Sequence, residues 1–127
     1  MHGTLNDQSM IYLQIAQMLE ADILRQIYLE NEQVPSTNEL ARSFNINPAT
    51  AAKGINLLVS EGILYKKRGV GMFVSPGARQ CVQKKRQAAF YGNYIKPLVK
   101  ESASLGLSGP ELLELVEKAI QEGEIIS

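Results

Sequence analysis

The first third of the chain carries hydrophobic residues at helical spacing. Between positions 10 and 27 an apolar side chain recurs every third or fourth residue, which predicts an amphipathic helix with one buried face. The positions on that face are Ile11, Ile15, Met18, Leu19, Ile23 and Ile27. Ser9 is the expected N-cap. The polar segment at 28–34 shows no clear period and predicts a loop.

Two further helices are predicted after this loop. Ser36 and Glu39 have the S-x-x-E spacing of a capping box, which predicts a short helix over 37–44. Asn47 can cap a third helix over 48–61, where Pro48 fits the first turn because its missing N–H needs no partner there. We expect the second helix to turn Leu40, Ala41 and Phe44 inward, and the third to bury Ala51, Ile55, Leu58 and Val59 and to end at Gly62.

Residues 63–66 and 72–75 are typical of two short strands joined by a basic, glycine-containing loop. Two helices around a short turn form a helix-turn-helix unit, and the added hairpin makes it a winged helix. The sequence therefore predicts a mostly α protein with a small β-wing, in which a winged helix-turn-helix domain spans residues 1–76. Pro76-Gly77 marks the predicted boundary.

Residues 77–127 are predicted to form a two-helix dimerisation tail. Apolar positions between 79 and 105 recur at nearly heptad spacing, and Pro97 should kink this helix. Gly106 is expected to end it, and a second capping box, Ser108 with Glu111, should open the last helix. The predicted dimer surface consists of Ala88, Tyr91, Ile95, Leu98, Leu112, Val116 and Ile120. The alternative is that this seam packs within the chain against the winged domain.

A formal net charge of zero conceals three blocks of charge. Residues 1–41 carry one cation and six acids, a net charge of −5, and residues 87–127 carry three cations and six acids, a net charge of −3. Residues 42–86 carry nine cations and one acid, a net charge of +8. Since binding responds to local potential, the middle block is suited to a polyanion.

Residues that could support catalysis or hold a metal are scarce. The chain has one histidine, His2, and one cysteine, Cys81, so no catalytic triad, zinc site or intrachain disulfide can be assembled. We therefore expect a protein that is not an enzyme and has no cofactor or metal. Residues 1–10 lack the build of a signal peptide, and no run of about 18 apolar residues exists. The expected location is cytoplasmic, without a membrane partner.

The basic block contains side chains suited to double-stranded DNA. In a helix-turn-helix the second helix enters the major groove with its N-terminal residues facing the bases, and here those residues are small or polar. The first turn of the preceding helix can hold a phosphate, and the wing can lie along the backbone or in the minor groove, with Arg68 inserted. The predicted DNA-binding residues are Ser36, Thr37, Asn38, Asn47, Ala49, Thr50, Lys53, Lys67, Arg68, Gly69 and Gly71.

These residues resemble the GntR family of bacterial transcription regulators. The motifs P-S-x-x-E-L-A, N-P-x-T, L-x-x-E-G-I-L and R-G-x-G-x-F-V occur in that order within about residues 10–75. The resemblance implies a winged helix that binds operator DNA as a dimer, and the short tail resembles the YtrA-like branch, which often represses operons for ABC transporters. Asn38 and Val70 stand where many relatives carry basic residues. Many relatives also have arginine near Ala52, although the YtrA-like pattern instead places a basic residue at the position of Lys53. The resemblance therefore implies a somewhat different operator.

The leading hypothesis is a homodimeric, sequence-specific DNA-binding repressor acting on a near-palindromic operator. The alternative is a winged helix that serves as a protein-interaction module, and a small enzyme would require a catalytic set that the sequence does not contain. A small-molecule effector is left open. A cavity between the tail and the winged domain near Phe90, Tyr91 and Tyr94 could accept one, although these aromatic residues are also expected as dimer core.

Overall fold

A computed structural model describes residues 8–126, with the side chains of residues 10–123, so His2 lies outside the described residues. The elements follow the predicted order of helices, hairpin and helical tail. They are α1 (Gln8–Leu24), α2 (Thr37–Phe44), α3 (Pro48–Ser60), β1 (Leu64–Lys67), β2 (Gly71–Val74), α4 (Ala78–Phe90), a π-helical turn (Tyr91–Ile95), α5 (Lys96–Ser104) and α6 (Gly109–Ile126). The predicted fold class, mostly helical with a small antiparallel wing, is confirmed.

Contacts divide the chain into two units. The first, here called the winged unit, ends at Lys85, and the second, the tail unit, begins at Arg86. The sequence analysis places this boundary after residue 76. The first turns of α4 belong to the winged unit because Ala78 and Val82 are fully buried in its core.

The core of the winged unit forms where α1 packs against α3. Ile15, Leu19 and Ile23 of α1 share one buried cluster with Ala51, Ile55 and Leu58 of α3. The helices approach closely at Gly54, where an added Cβ would lie 2.8 Å from the backbone oxygen of Tyr12. The predicted inward face of α1 is therefore correct as far as Ile23.

Three sequence predictions for these helices are wrong. Ser9 lies within α1 rather than before it, since the helix already includes Gln8. Ile27 is 58% exposed because α1 ends at Leu24 and Gln26 takes a left-handed conformation, with φ 62°. Phe44 is 47% exposed, since it is the last residue of α2 and Asn45 turns the chain with φ 52°.

The segment predicted as a loop before α2 pairs with the wing. Gln33 forms an antiparallel bridge with Phe73, and the amide of Val34 donates to the carbonyl of Met72 at 2.9 Å. The amide of Val74 donates in turn to the carbonyl of Glu32 at 3.0 Å. The hairpin therefore has a backbone partner along one edge. No periodic pattern in the sequence indicated this pairing because it involves only a few residues.

The tail unit contains few buried side chains. Of residues 86–123, whose side chains the structure describes, Ser102 alone is buried. The kink expected at Pro97 takes the form of the π-helical turn at Tyr91–Ile95, directly before the α5 turn that holds this proline. Gly106 ends the helix with φ 75°, and Ser108 and Glu111 form the predicted capping box, with the Ser108 amide 2.8 Å from Glu111 Oε1.

Candidate nucleic-acid interface

The N-terminus of α2 is closed by its own capping box. The Ser36 hydroxyl accepts from the Glu39 amide at 3.1 Å, and the Ser36 amide donates to the Glu39 carboxylate at 2.8 Å. The Ser36 backbone bond, then its hydroxyl bond and the charge of Arg42, lower the pKa of Glu39 although desolvation opposes them. The ionised carboxylate thus occupies part of the predicted anion site. Thr37 is half-buried and Asn38 is exposed on the same turn.

Helix α3 begins as the sequence predicts. Asn47 is the N-cap, and its side-chain oxygen accepts from the amide of Ala49 at 2.8 Å, while Pro48 occupies the first turn. Asn47, Ala49 and Lys53 are exposed. Two small or polar residues and a cation therefore form the accessible surface at this end of the helix.

Thr50 is a correction to the predicted interface, because only 5% of its surface is exposed. The buried stripe of α3 consists of Thr50, Ala51, Gly54, Ile55 and Leu58, which is wider than the stripe inferred from the large apolar residues alone. Thr50 lies one turn before Gly54, the position where α1 approaches α3 closely. Thr50 in this arrangement is part of the core rather than of the base-facing surface.

Tyr12 is a residue that the sequence analysis did not connect with the interface. The ammonium of Lys53 lies 4.3 Å from the centroid of the Tyr12 ring, a cation–π distance. The close approach at Gly54 brings this part of α1 beside α3. The Lys53 side chain is thus oriented before any ligand arrives. The apolar period of α1 does not include Tyr12, so the pattern carried no signal for this contact.

The wing is a short hairpin in which the bounds of each strand differ by one residue from the predicted bounds. Lys67 pairs with Gly71 across the hairpin, and the amide of Val70 donates to the carbonyl of Lys67 at 2.9 Å. Gly69 and Gly71 have φ values of 76° and 147°, which confirms the predicted need for glycine in this turn. Lys66, Lys67 and Arg68 are all exposed, as predicted for the tip.

One of the wing cations, Lys67, lies over an aromatic ring. The Lys67 ammonium lies 4.7 Å from the Phe73 ring centroid, and the Phe73 ring stacks on Tyr65 with centroids 5.8 Å apart. The Tyr65 hydroxyl contacts the Asn31 side-chain oxygen at 2.9 Å. The segment before α2, the two strands and Lys67 therefore form one connected assembly.

Two cations of the positive block stabilise the fold instead of extending the interface. Arg79 donates to the backbone oxygen of Leu24 at 2.9 Å. Lys85 contacts Glu20 at 2.5 Å and Glu61 at 2.8 Å, so it joins α4 to α1 and to the end of α3. Partial burial works against its charge, yet the bonds to both carboxylates keep the pKa of Lys85 raised. The charge excess of residues 42–86 is thus not confined to one surface.

The described residues form neither a metal cluster nor a membrane-spanning helix. Within residues 8–126, no three metal-ligating side chains come together. None of the helices in that part of the chain has the length and apolar character needed to cross a membrane. The exposed end of α3 and the wing are the features of the winged unit that carry its candidate chemistry.

Comparison with known proteins agrees with this arrangement. A family model described as bacterial regulatory proteins, gntR family, matches residues 11–74, from α1 to the end of the wing. The chain belongs to the GntR family. GntR regulators bind DNA and are not enzymes, so the expectation of a non-enzymatic, DNA-binding regulator is confirmed.

Short GntR regulators match this chain over most of their length. It is 30% identical over 113 residues to the uncharacterized HTH-type transcriptional regulator YhcF of Bacillus subtilis, covering 89% of this chain and 91% of that protein. It is 28% identical to the HTH-type transcriptional repressor YtrA of the same organism, over 85% of this chain and 82% of YtrA. The expected resemblance to the short-tailed, YtrA-like branch is confirmed.

A solved structure supports the fold over both units. The putative GntR-family regulator from Bacteroides thetaiotaomicron is 31% identical, with a TM-score of 0.68 and coverage of 89% of this chain and 98% of that one. Several curated relatives are much longer. One of them, the probable fructoselysine utilization operon transcriptional repressor of Escherichia coli K12, is 35% identical over 65 residues, and the chain spans only 27% of its length. That match covers about half of this GntR chain, 51%.

Proposed function

We propose that this GntR-family regulator is a sequence-specific repressor that binds a near-palindromic operator as a homodimer. The observation that carries the proposal is the exposed start of α3, where Asn47, Ala49 and Lys53 are accessible in the same winged unit as the basic wing tip. Such a helix end fits the major groove, while cations on a hairpin tip suit the sugar-phosphate backbone.

The proposed contacts follow from the described geometry. Asn47 and Lys53 read base edges or phosphates, the small Ala49 permits close approach, and Arg68 enters the minor groove. Thr50 has no place among them because it is buried. The full proposed set is Ser36, Thr37, Asn38, Asn47, Ala49, Lys53, Lys67, Arg68, Gly69 and Gly71, with Ser36 contributing through its backbone position rather than its occupied hydroxyl.

The exposed apolar surface of the tail unit supports the homodimer. Large hydrophobic side chains, among them Tyr91, Leu98 and Ile120, are exposed along α5, α6 and the π-helical turn. An open groove of about 570 Å³ runs between α5 and α6, lined mostly by leucine, valine and isoleucine. A unit with almost no core of its own gains stability when a second copy covers such a surface. The predicted dimer residues Ala88, Ile95, Leu112 and Val116 belong to the same two-helix tail.

Two DNA-binding experiments test the repressor proposal. Selection of bound sequences from a random duplex pool should return a near-palindrome with half-sites about one helical turn apart or slightly more. Affinity for the selected duplex should fall steeply with salt, with a log–log slope of about −0.9 for each contacted phosphate. A winged helix that instead serves as a protein-interaction module would bind no duplex above the random-sequence background, even at low salt.

A matched pair of variants tests the dimer. Leu98→Glu places a charge on the tail surface, and Leu13→Glu places the same charge on α1 at a similar exposure, 42% against 38%. Sedimentation equilibrium should show a dimer for the wild type and for Leu13→Glu, and a monomer for Leu98→Glu. A dimer of unchanged affinity in Leu98→Glu would contradict the proposed surface.

An effector is the remaining part of the proposal. Phe90 and Tyr94 are exposed and lie with their ring centroids 5.5 Å apart, an arrangement that suits dimer core better than an enclosed ligand site. We therefore propose repression that needs no small ligand. A thermal-shift screen in which a metabolite raises the melting temperature and changes operator affinity would contradict this.

A further inference from the structure

The tip of the wing is held by a side chain from outside the hairpin. Gln33 lies in the segment before α2, and its amide nitrogen donates to the backbone oxygen of Val70 at 2.9 Å. The backbone of the same residue forms the bridge to Phe73. One residue thus contacts the hairpin at its turn through the side chain and at β2 through the backbone.

Gly71 is shaped to fit this contact. A Cβ at position 71 would overlap the side-chain nitrogen of Gln33, and the glycine has φ 147°, a conformation that L side chains rarely adopt. The space beside Gly71 is filled by the Gln33 amide. The turn and the bracing side chain therefore depend on each other: a larger residue at 71 would displace Gln33 from Val70.

We propose that Gln33 is a positioning residue for DNA binding, which holds the turn between Lys67 and Gly71 so that the wing cations are pre-organised for the DNA backbone. The inference rests on the proposed role of the wing in DNA binding. Gln33 acts on DNA only through the wing. The apparent affinity for DNA is reduced in proportion to the fraction of molecules whose wing has the binding-competent conformation. Loosening the tip lowers that fraction, so binding weakens although every cation is still present.

The first test uses the free full-length protein. Gln33→Met keeps the length of the side chain and removes its hydrogen bonds, and Gln14→Met makes the same change at an exposed position of α1. Amide hydrogen exchange measured by NMR should become about two- to tenfold faster at Val70 in Gln33→Met, the effect of losing one hydrogen bond. The amide of Ser75, bonded to Ile63 at 3.0 Å beyond the hairpin, serves as an internal reference. Unchanged exchange at Val70 would overturn the inference.

A double-mutant cycle separates a brace from a general loss of stability. Gly71→Ala is expected to expel the Gln33 side chain, so adding Gln33→Met to Gly71→Ala should change Val70 exchange no further. If Gln33→Met has the same effect in the wild-type and Gly71→Ala backgrounds, the two residues are not coupled. That result would contradict the proposed packing of the Gln33 side chain beside Gly71.

The second test uses a random-sequence duplex of about 30 base pairs as the probe. Gln33→Met should weaken duplex binding measurably, at most by the factor by which opening of the wing tip increases, and should leave the salt slope unchanged. Arg68→Ala should reduce that slope by about 1. Faster Val70 exchange with unchanged duplex affinity would overturn the positioning role and leave the DNA-binding proposal intact. No duplex binding by the wild type would defeat the DNA-binding proposal itself and this inference with it.

Discussion

The close approach of α1 and α3 at Gly54 makes a quantitative prediction. In Gly54→Ala the new methyl would lie 2.8 Å from the Tyr12 backbone oxygen, 3.1 Å from Ile15 Cγ2 and 3.2 Å from Ile15 Cβ. Overpacking of this kind costs about 1–3 kcal/mol, and a backbone atom cannot rotate away. Alanine recovers about 1 kcal/mol of helix propensity. The expected net loss is therefore about 1 kcal/mol of unfolding free energy, or a fall in melting temperature of about 4 °C.

Urea unfolding followed by circular dichroism, at one fixed protein concentration, measures this loss as a lower midpoint with an unchanged m-value. Gly123→Ala is the matched control, because this glycine lies in α6 and an added Cβ would meet nothing within 4 Å. The control should gain up to about 1 kcal/mol from helix propensity. If Gly54→Ala is as stable as Gly123→Ala, the helices do not touch at Gly54 and the account of the α1–α3 core is refuted.

Three further predictions concern the interface. Arg68→Ala should weaken operator binding and reduce the salt slope by about 1, measured by fluorescence anisotropy at several salt concentrations, and an unchanged slope would exclude a phosphate contact. Lys53→Ala should change the base preference recovered from a random pool if Lys53 reads a base; the same preference with lower affinity would assign it to a phosphate. Folding lowers the pKa of Glu39 below its ordinary value of 4.5. The stabilisation by the Glu39 carboxylate is therefore complete above pH 4.5 and is lost as the pH falls through the pKa of the folded state. Between pH 5 and pH 3, therefore, wild type should lose more unfolding free energy than Glu39→Gln, and equal losses would contradict the capping role.

The helix caps and the wing could be predicted from the sequence because they depend on interactions between residues close together in the chain. Ser36, Asn47 and Gly62 each act within a few residues of their position in the chain, and each occupies the predicted cap or helix end. The wing was also predicted to within one residue, because glycine placement and the basic turn are local signals.

The misplaced residues depend on contacts between distant segments. Thr50 and Gly54 belong to the buried face of α3, which the spacing of its large apolar residues alone does not indicate. The pairing of Gln33 with Phe73 joins positions 40 residues apart in a segment without periodic pattern. The sequence places Lys85 in the basic block, whereas in the structure it pairs with Glu20 of α1 and with Glu61, the residue directly after α3. Tertiary contacts of this type follow from the fold and not from local spacing.

The π-helical turn is an intermediate case. Pro97 lacks a backbone N–H, so a disturbance in the preceding turn follows directly from the sequence. The sequence does not indicate the form of this disturbance, which is a wider helical turn at Tyr91–Ile95 rather than a sharp break. The turn lies among the exposed aromatic side chains of the tail unit, Phe90, Tyr91 and Tyr94, which are part of the proposed dimer surface.

The central claim is that the start of α3 and the tip of the wing are the surfaces that meet DNA. Amide chemical shifts of the full-length protein, recorded with and without the duplex selected from a random pool, test it most directly. The largest changes should fall at residues 36–38, 47–53 and 67–71, with α6 little affected. Changes concentrated in α6, with residues 47–53 unperturbed in the saturated complex, would contradict the account.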